Sequence, residues 1–203
     1  MSNLQLRIIS AVILAAVVLA VTWYGGVGFR VLAAVILLAI FFEWSQMSEA
    51  AETRGWAAGG LGILPAVFAL VLAAVIVAGA TALSLFGLCL VACLVVAILA
   101  AARGYSQWPA AGLAYAGLSG MTLSLLRDGD PSGLYAIFFL FATVWATDIF
   151  AYFVGRAVGG PKLAPAISPG KTWSGAIGGT VAGVLAAVAI AAALGSRQVG
   201  LLA

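Results

Sequence analysis

The 203-residue sequence is 65% hydrophobic and 7% charged, with a mean hydropathy of +1.22. No soluble domain of this length hides so much apolar surface, and the long Ala/Val/Leu runs lack the alternation of a membrane β-barrel. A polytopic, all-α membrane bundle is the fold class that remains. The net charge of +3 is dispersed over many loops, so it reports topology and excludes nucleic acid as a partner.

In chain order, seven apolar segments are each long enough to cross roughly 30 Å of hydrocarbon. They cover residues 8–24, 29–45, 61–79, 82–101, 108–126, 133–154 and 174–195, in one membrane domain over 1–203. The first follows Arg7 and resembles a signal peptide, but its length and the lack of a small-x-small cleavage site favour a retained helix. Trp23, Tyr24, Trp44, Trp56 and Trp108 fall near span ends, as an interfacial aromatic belt requires. Cys89 and Cys93, four apart within one apolar span, read as small buried thiols. The fifth span is rich in Gly, Ser and Tyr and is expected to be re-entrant in part, or buried. Arg127 to Pro131 reads as an external turn.

The loop cations set the orientation. With the N-terminus inside, Arg7, Arg54, Arg103, Arg156, Lys162 and Lys171 are cytoplasmic, while Arg30, Arg127 and Arg197 lie outside. Six against three favours this orientation. It predicts a multi-pass protein of the cell inner membrane with the loop at 155–173 in the cytoplasm. Glu43, Glu49, Glu52 and Arg54 then form a solvated face at the first cytoplasmic loop.

Asp148 is the one charge in the apolar run from Gly133 to Val154. A carboxylate within hydrocarbon costs about 2.5–3.5 kcal/mol on insertion scales, so function is the first reading. Asp148, Tyr152 and Gly155 are spaced to share a helix face, and Arg156 complements the helix C-terminus. A packing ion pair from Asp148 to Arg156 or Lys171 is the structural alternative. Pro161, Pro165 and Pro169 exclude a helix over the next stretch, which is predicted to be an extended, stiff loop. That loop carries Lys162 and Lys171 as point charges suited to phosphate oxygens. Lys171-Thr172 also precedes the seventh helix, whose free N–H groups attract anions. Gly170-Lys171-Thr172 is not a Walker-type loop, because Pro165 stands where that pattern needs glycine and no strand can precede it. In the last span Gly175, Gly179, Gly183 and Ala187 form a small-residue ridge for helix packing.

These residues carry a resemblance. The elements Asp148-x-x-Ala151-Tyr152-x-x-Gly155-Arg156, Gly160-x-Lys162-Leu163-x-Pro165 and Ile167-Ser168-Pro169-x-Lys171-Thr172-Trp173-x-Gly175 resemble the cytoplasmic-loop motif of bacterial phosphatidate cytidylyltransferases, also called CDP-diacylglycerol synthases. The opening Arg7-Ile8-Ile9-Ser10 is similar too. Gly170 and Ser174 depart from the family, which often has Lys or Asn at the first and Glu at the second.

The resemblance implies transfer of a cytidylyl group from CTP to phosphatidate, giving CDP-diacylglycerol and pyrophosphate. It implies Asp148 and Lys171 as catalytic groups, Asp148 as a ligand of Mg²⁺, and Tyr152, Arg156, Lys162, Ser168 and Thr172 as substrate-binding residues. Its partners are CTP, phosphatidate and membrane lipids, and a homodimer is compatible with it. The family's block of Ser-x-x-Lys-Arg, Pro-Gly-His-Gly-Gly and Asp-Arg-x-Asp is not in the sequence, which has no His. With few acids for a two-metal site, the 203-residue chain is expected to be incomplete for catalysis. A truncated or non-catalytic remnant of the enzyme and a small-solute transporter are the alternative readings.

Overall fold

The computed structural model describes residues 3–51, 61–128 and 131–201. Glu52, Arg54, Trp56, Gly129 and Asp130 lie outside them, as do the side chains of Arg7, Glu49 and Arg197. The described chain is helical except for one hairpin. In order it forms α1 (Asn3–Tyr24), α2 (Gly26–Ala51), α3 (Leu64–Val77), α4 (Ala82–Ala102), α5 (Trp108–Asp128), α6 (Pro131–Val158), β1 (Lys162–Ala164), β2 (Ser168–Thr172) and α7 (Trp173–Leu201). The helices stand where the seven apolar runs place them, and the protein is a helical membrane protein.

Five of the seven are long and apolar enough to cross a membrane. The other two are shorter. The apolar part of α1 is Ile9–Tyr24, and α3 has 14 residues, about 21 Å of helix against roughly 30 Å of hydrocarbon. The run at 61–79 is longer than its helix for a local reason. Gly62 takes a positive φ of 55°, and Pro65 sits in the first turn, so the helix starts only at Leu64.

Contacts divide the chain into two compact units, Met1–Asp130 and Pro131–Ala203. In the first, α5 is the central element and packs against α2, α3 and α4. Of the two expectations for this run, the buried one holds: its glycines are contact surface within a continuous helix. A Cβ on Gly117 would stand 2.9 Å from Cys89 Sγ, and one on Gly120 would stand 2.8 Å from Leu37 Cβ. Small residues let helices approach closely in lipid, where dispersion rather than water exclusion holds them together. Leu37, Leu72, Leu85, Leu113 and Met121 fill the remaining space. Cys89 is buried and Cys93 half-buried, both as free thiols.

The Arg30 and Arg127 end of this unit is more specific than a belt of topology anchors. Arg30 Nε pairs with Asp128 at 2.6 Å. Arg127 donates from Nε to the Thr22 carbonyl at 2.6 Å and from Nη2 to the Trp23 carbonyl at 2.8 Å. These are the last carbonyls of α1, which lack helical partners and form its negative pole.

The second unit is α6, the hairpin and α7. The two helices meet along small residues on both sides. A Cβ on Gly175 would lie 2.6 Å from the Ala151 carbonyl oxygen, and one on Gly179 would lie 2.6 Å from that of Thr147. Gly183 abuts the Thr147 hydroxyl. Thr143, Thr147, Ala151 and Gly155 therefore form the stripe that receives the glycine ridge, each set at four-residue spacing.

Candidate functional site

The site residues expected from sequence all fall within the second unit. The α6 helix runs ten residues past Asp148 to Val158, about 15 Å. Asp148 is thus further from the helix end than a span closing at Val154 predicts. Arg156 occupies the last turn, where its charge opposes the negative pole.

Asp148 follows Thr147 by one residue, so it stands about 100° round the helix from a side chain that faces α7. It is exposed, as is Tyr152. The Tyr152 hydroxyl accepts a hydrogen bond from Arg156 Nη1 at 3.1 Å. Acid, phenol and guanidinium therefore run along one open edge of α6. Gly155, seven residues on, stands within about 20° of Asp148 round the helix, at the border between that edge and the contact with α7. It is turned into the helix contact, where a Cβ would lie 2.9 Å from Thr172 Oγ1 and 3.3 Å from Gly175 Cα. Asp148 forms no ion pair with Arg156 or Lys171 among the described residues.

The α6 helix ends at Gly159, whose φ of 66° is the left-handed conformation of a helix stop, with its N–H bonded to the Gly155 carbonyl at 3.1 Å. The proline-rich stretch then differs from a plain extended loop. It forms an antiparallel hairpin with Lys162 opposite Thr172 and Ala164 opposite Ser168. The turn is Ala164 to Ile167, closed by the Ile167 N–H on the Ala164 carbonyl at 3.1 Å, with Pro165 at the position where its fixed φ is favoured. The register shifts between the two pairs. Pro169, Gly170 and Lys171 thus bulge opposite Leu163, which suits a proline that cannot donate to the ladder. Lys162 and Lys171 are both exposed, and Ser168 is half-buried.

The start of α7 is already capped, which the sequence reading did not anticipate. Thr172 is buried, and its hydroxyl accepts from the Gly175 N–H at 3.2 Å, the geometry of an N-cap. The Trp173 N–H donates to the Pro161 carbonyl at 3.1 Å. Two of the orphan N–H groups of the helix start are therefore satisfied within the chain. Ser174 lies 3.1 Å from the Thr172 hydroxyl and donates to the Gly159 carbonyl, tying the end of α6 to the start of α7. A Thr directly before a helix is a legible cap signal; the role of Ser174 depends on a carbonyl 15 residues away.

No cluster of three or more His, Cys, Asp or Glu side chains occurs among the described residues. Asp148 is the single acid in residues 131–203. One open carboxylate fits a Mg²⁺ whose other ligands are substrate phosphates and water, the usual habit of that ion, and does not fit an all-protein cage.

Residues 5–203 match the model of the Cytidylyltransferase family. A phosphatidate cytidylyltransferase of Brucella abortus is 46% identical over 183 residues, covering 88% of this chain and 64% of that protein. The phosphatidate cytidylyltransferase of Haemophilus influenzae is 56% identical over 50 residues, 24% of this chain and 17% of that one. That of Bacillus subtilis is 47% identical over 53 residues, 26% and 20% respectively. The chain thus spans 64% of the length of the Brucella relative. No solved structure matches it.

Proposed function

Because the chain belongs to the Cytidylyltransferase family, we propose that it serves a membrane-bound transfer of the cytidylyl group of CTP to phosphatidate. The observation that carries this reading is the open edge of Asp148, Tyr152 and Arg156 on α6, continued by a hairpin bearing Lys162 and Lys171. In the reaction, an oxygen of the lipid phosphate attacks the α-phosphorus of CTP. A new P–O bond forms, the bond from the α-phosphorus to the bridging oxygen breaks, and pyrophosphate leaves with that electron pair. CDP-diacylglycerol is the product.

Both reactants are anions, so the protein must mainly neutralise and align charge. A cation about 4 Å from a phosphate oxygen contributes about 1 kcal/mol in water and about 4 kcal/mol near a protein surface. Arg156, Lys162 and Lys171 are assigned that task, with Lys171 directed at the reacting phosphates. Tyr152 holds the Arg156 guanidinium and offers its hydroxyl, and Ser168 offers a hydroxyl from the hairpin. Thr172 acts through the cap that fixes Lys171 beside it. Asp148 would supply one oxygen to Mg²⁺, which when bound neutralises phosphate charge. The hairpin faces the cytoplasm of a cell inner membrane in this proposal, where CTP is found. Membrane lipids and a second copy of the chain complete the partners.

The test is CTP retention and pyrophosphate release by the purified chain in liposomes containing phosphatidate, with Mg²⁺. Retention of CTP that is lost when Arg156, Lys162 and Lys171 are together changed to Ala supports the site. Absence of both retention and release sinks it. Retention without release is the outcome of a non-catalytic form, a reading favoured by the single carboxylate in residues 131–203.

A further inference from the structure

One aromatic pair on α6 has no part in the charge chemistry of the site. Phe141 and Trp145, one turn apart, stack with ring centroids 5.3 Å apart and planes 2° from parallel. At 100° per residue, Phe141, Trp145, Asp148, Tyr152 and Arg156 fall within a sector of about 80° round the helix. The half-buried pair therefore continues the open edge of Asp148, Tyr152 and Arg156 deeper into the span. Along the axis Trp145 stands about 4.5 Å from Asp148.

An interfacial aromatic belt does not account for Trp145. Belt residues sit at span ends, whereas Trp145 is in the middle of the span Ser132–Val158, about 20 Å from the Val158 end. Its indole N–H is the polar group left over. The Thr143 and Thr147 hydroxyls donate to carbonyls one turn back, at 2.8 Å each, and the Trp44 indole donates to the Trp108 carbonyl at 2.9 Å. Trp145 has no hydrogen-bond partner among the described residues. A donor held in hydrocarbon without an acceptor is costly, and its stack with Phe141 restrains the ring from turning away. Below its headgroup a glycerolipid carries one strong acceptor, the carbonyl of an acyl ester.

We propose that the Trp145 indole N–H donates to an acyl ester carbonyl of the phosphatidate acceptor, with Phe141 holding the indole in place. The inference rests on the cytidylyl-transfer reading, which brings the lipid phosphate to Asp148. The esters of the lipid follow its phosphate by a few bonds, and Trp145 follows Asp148 by about one turn. Phosphate and ester are therefore met together, and the contact fixes the depth at which the phosphate faces CTP.

Phosphatidate is one source of such a carbonyl, and bulk phospholipid is another. Native mass spectrometry of the chain in detergent with Mg²⁺ separates them. Diacyl phosphatidate competes with its dialkyl ether analogue, and diacyl phosphatidylglycerol with its own. The expected result is a preference of about three- to tenfold for ester over ether phosphatidate, the range of one hydrogen bond, and of less than about twofold for the glycerol lipid. Trp145→Phe keeps the ring stack and removes the N–H. It should bring the phosphatidate preference below about twofold with thermal unfolding unchanged, a selectivity that a purely packing role would not move. No preference in the parent chain, or one that survives Trp145→Phe, overturns the proposal. An equal ester preference for both lipids makes Trp145 a contact for bulk lipid and overturns the substrate assignment. CTP retention in the same samples keeps the two readings apart. A missing ester preference with CTP retained sinks this inference alone, and an ester preference without CTP retention sinks the reaction reading alone.

Discussion

The Thr172 hydroxyl accepts a hydrogen bond from the Gly175 N–H at 3.2 Å while packed against Gly155. One side chain therefore caps α7 and fills the junction with α6. Thr172→Ala is expected to cost about 1 kcal/mol, the usual loss of a cap, and Thr172→Ser to recover most of it. Thermal unfolding in detergent measures this. A Thr172→Ala chain that keeps its stability but loses CTP retention would instead make the hydroxyl a direct substrate ligand.

The glycine contact predicts a larger effect next door. Gly175→Ala puts a methyl 2.6 Å from the Ala151 carbonyl oxygen, backbone that cannot swing aside, and the helices must part. The expected destabilisation is about 1–3 kcal/mol. Gly170→Ala meets nothing within 4 Å and should be near neutral, so comparing the two melting curves checks the seam itself.

Lys171→Ala should weaken CTP retention more than Arg103→Ala. Lys171 is exposed on β2, just before the start of α7, whereas Arg103 closes the end of α4 in the other unit. Removing a surface cation from a phosphate contact costs about 1 kcal/mol or more, roughly a fivefold change in apparent Kd. Equal losses in equilibrium dialysis would argue against a phosphate role for Lys171.

The orientation proposal has its own readout. Ala157 is exposed in the last turn of α6 and Ala166 in the hairpin turn, so Cys placed there should react with impermeant maleimide only after the cytoplasmic side is opened. Labelling from outside intact cells would reverse the topology and remove the hairpin from the nucleotide pool.

Much of the fold is legible because a membrane span is a local property. Among the described residues seven apolar runs become seven helices, and prolines at 161, 165 and 169 keep the stretch between the last two from being helical. What escapes is pairing at a distance. The Lys162–Thr172 register depends on where the Pro165 turn forms, and the Arg30–Asp128 contact joins residues 98 apart. The fifth run offered two readings, re-entrant or buried, and the buried one holds. Glycines that break a helix in water are the contact surface of α5 in lipid, and single-sequence composition does not distinguish the two. At the site, Asp148 and the lysines stand out because charge is rare in such a chain. Thr172 looked like one more phosphate ligand beside Lys171, and only the Gly175 N–H on its hydroxyl reveals its cap.

The α6–α7 seam relies on every fourth residue and chiefly on backbone atoms. Several other positions, Phe139, Ile149, Phe153, Ile177, Val181 and Val184, are exposed within this unit and take no part in the seam. Apolar exchanges at these positions leave the four-residue contact between the two helices as it is. A protein built this way can be retuned to a different membrane without disturbing the spacing between the carboxylate on one stem and the lysines on the hairpin.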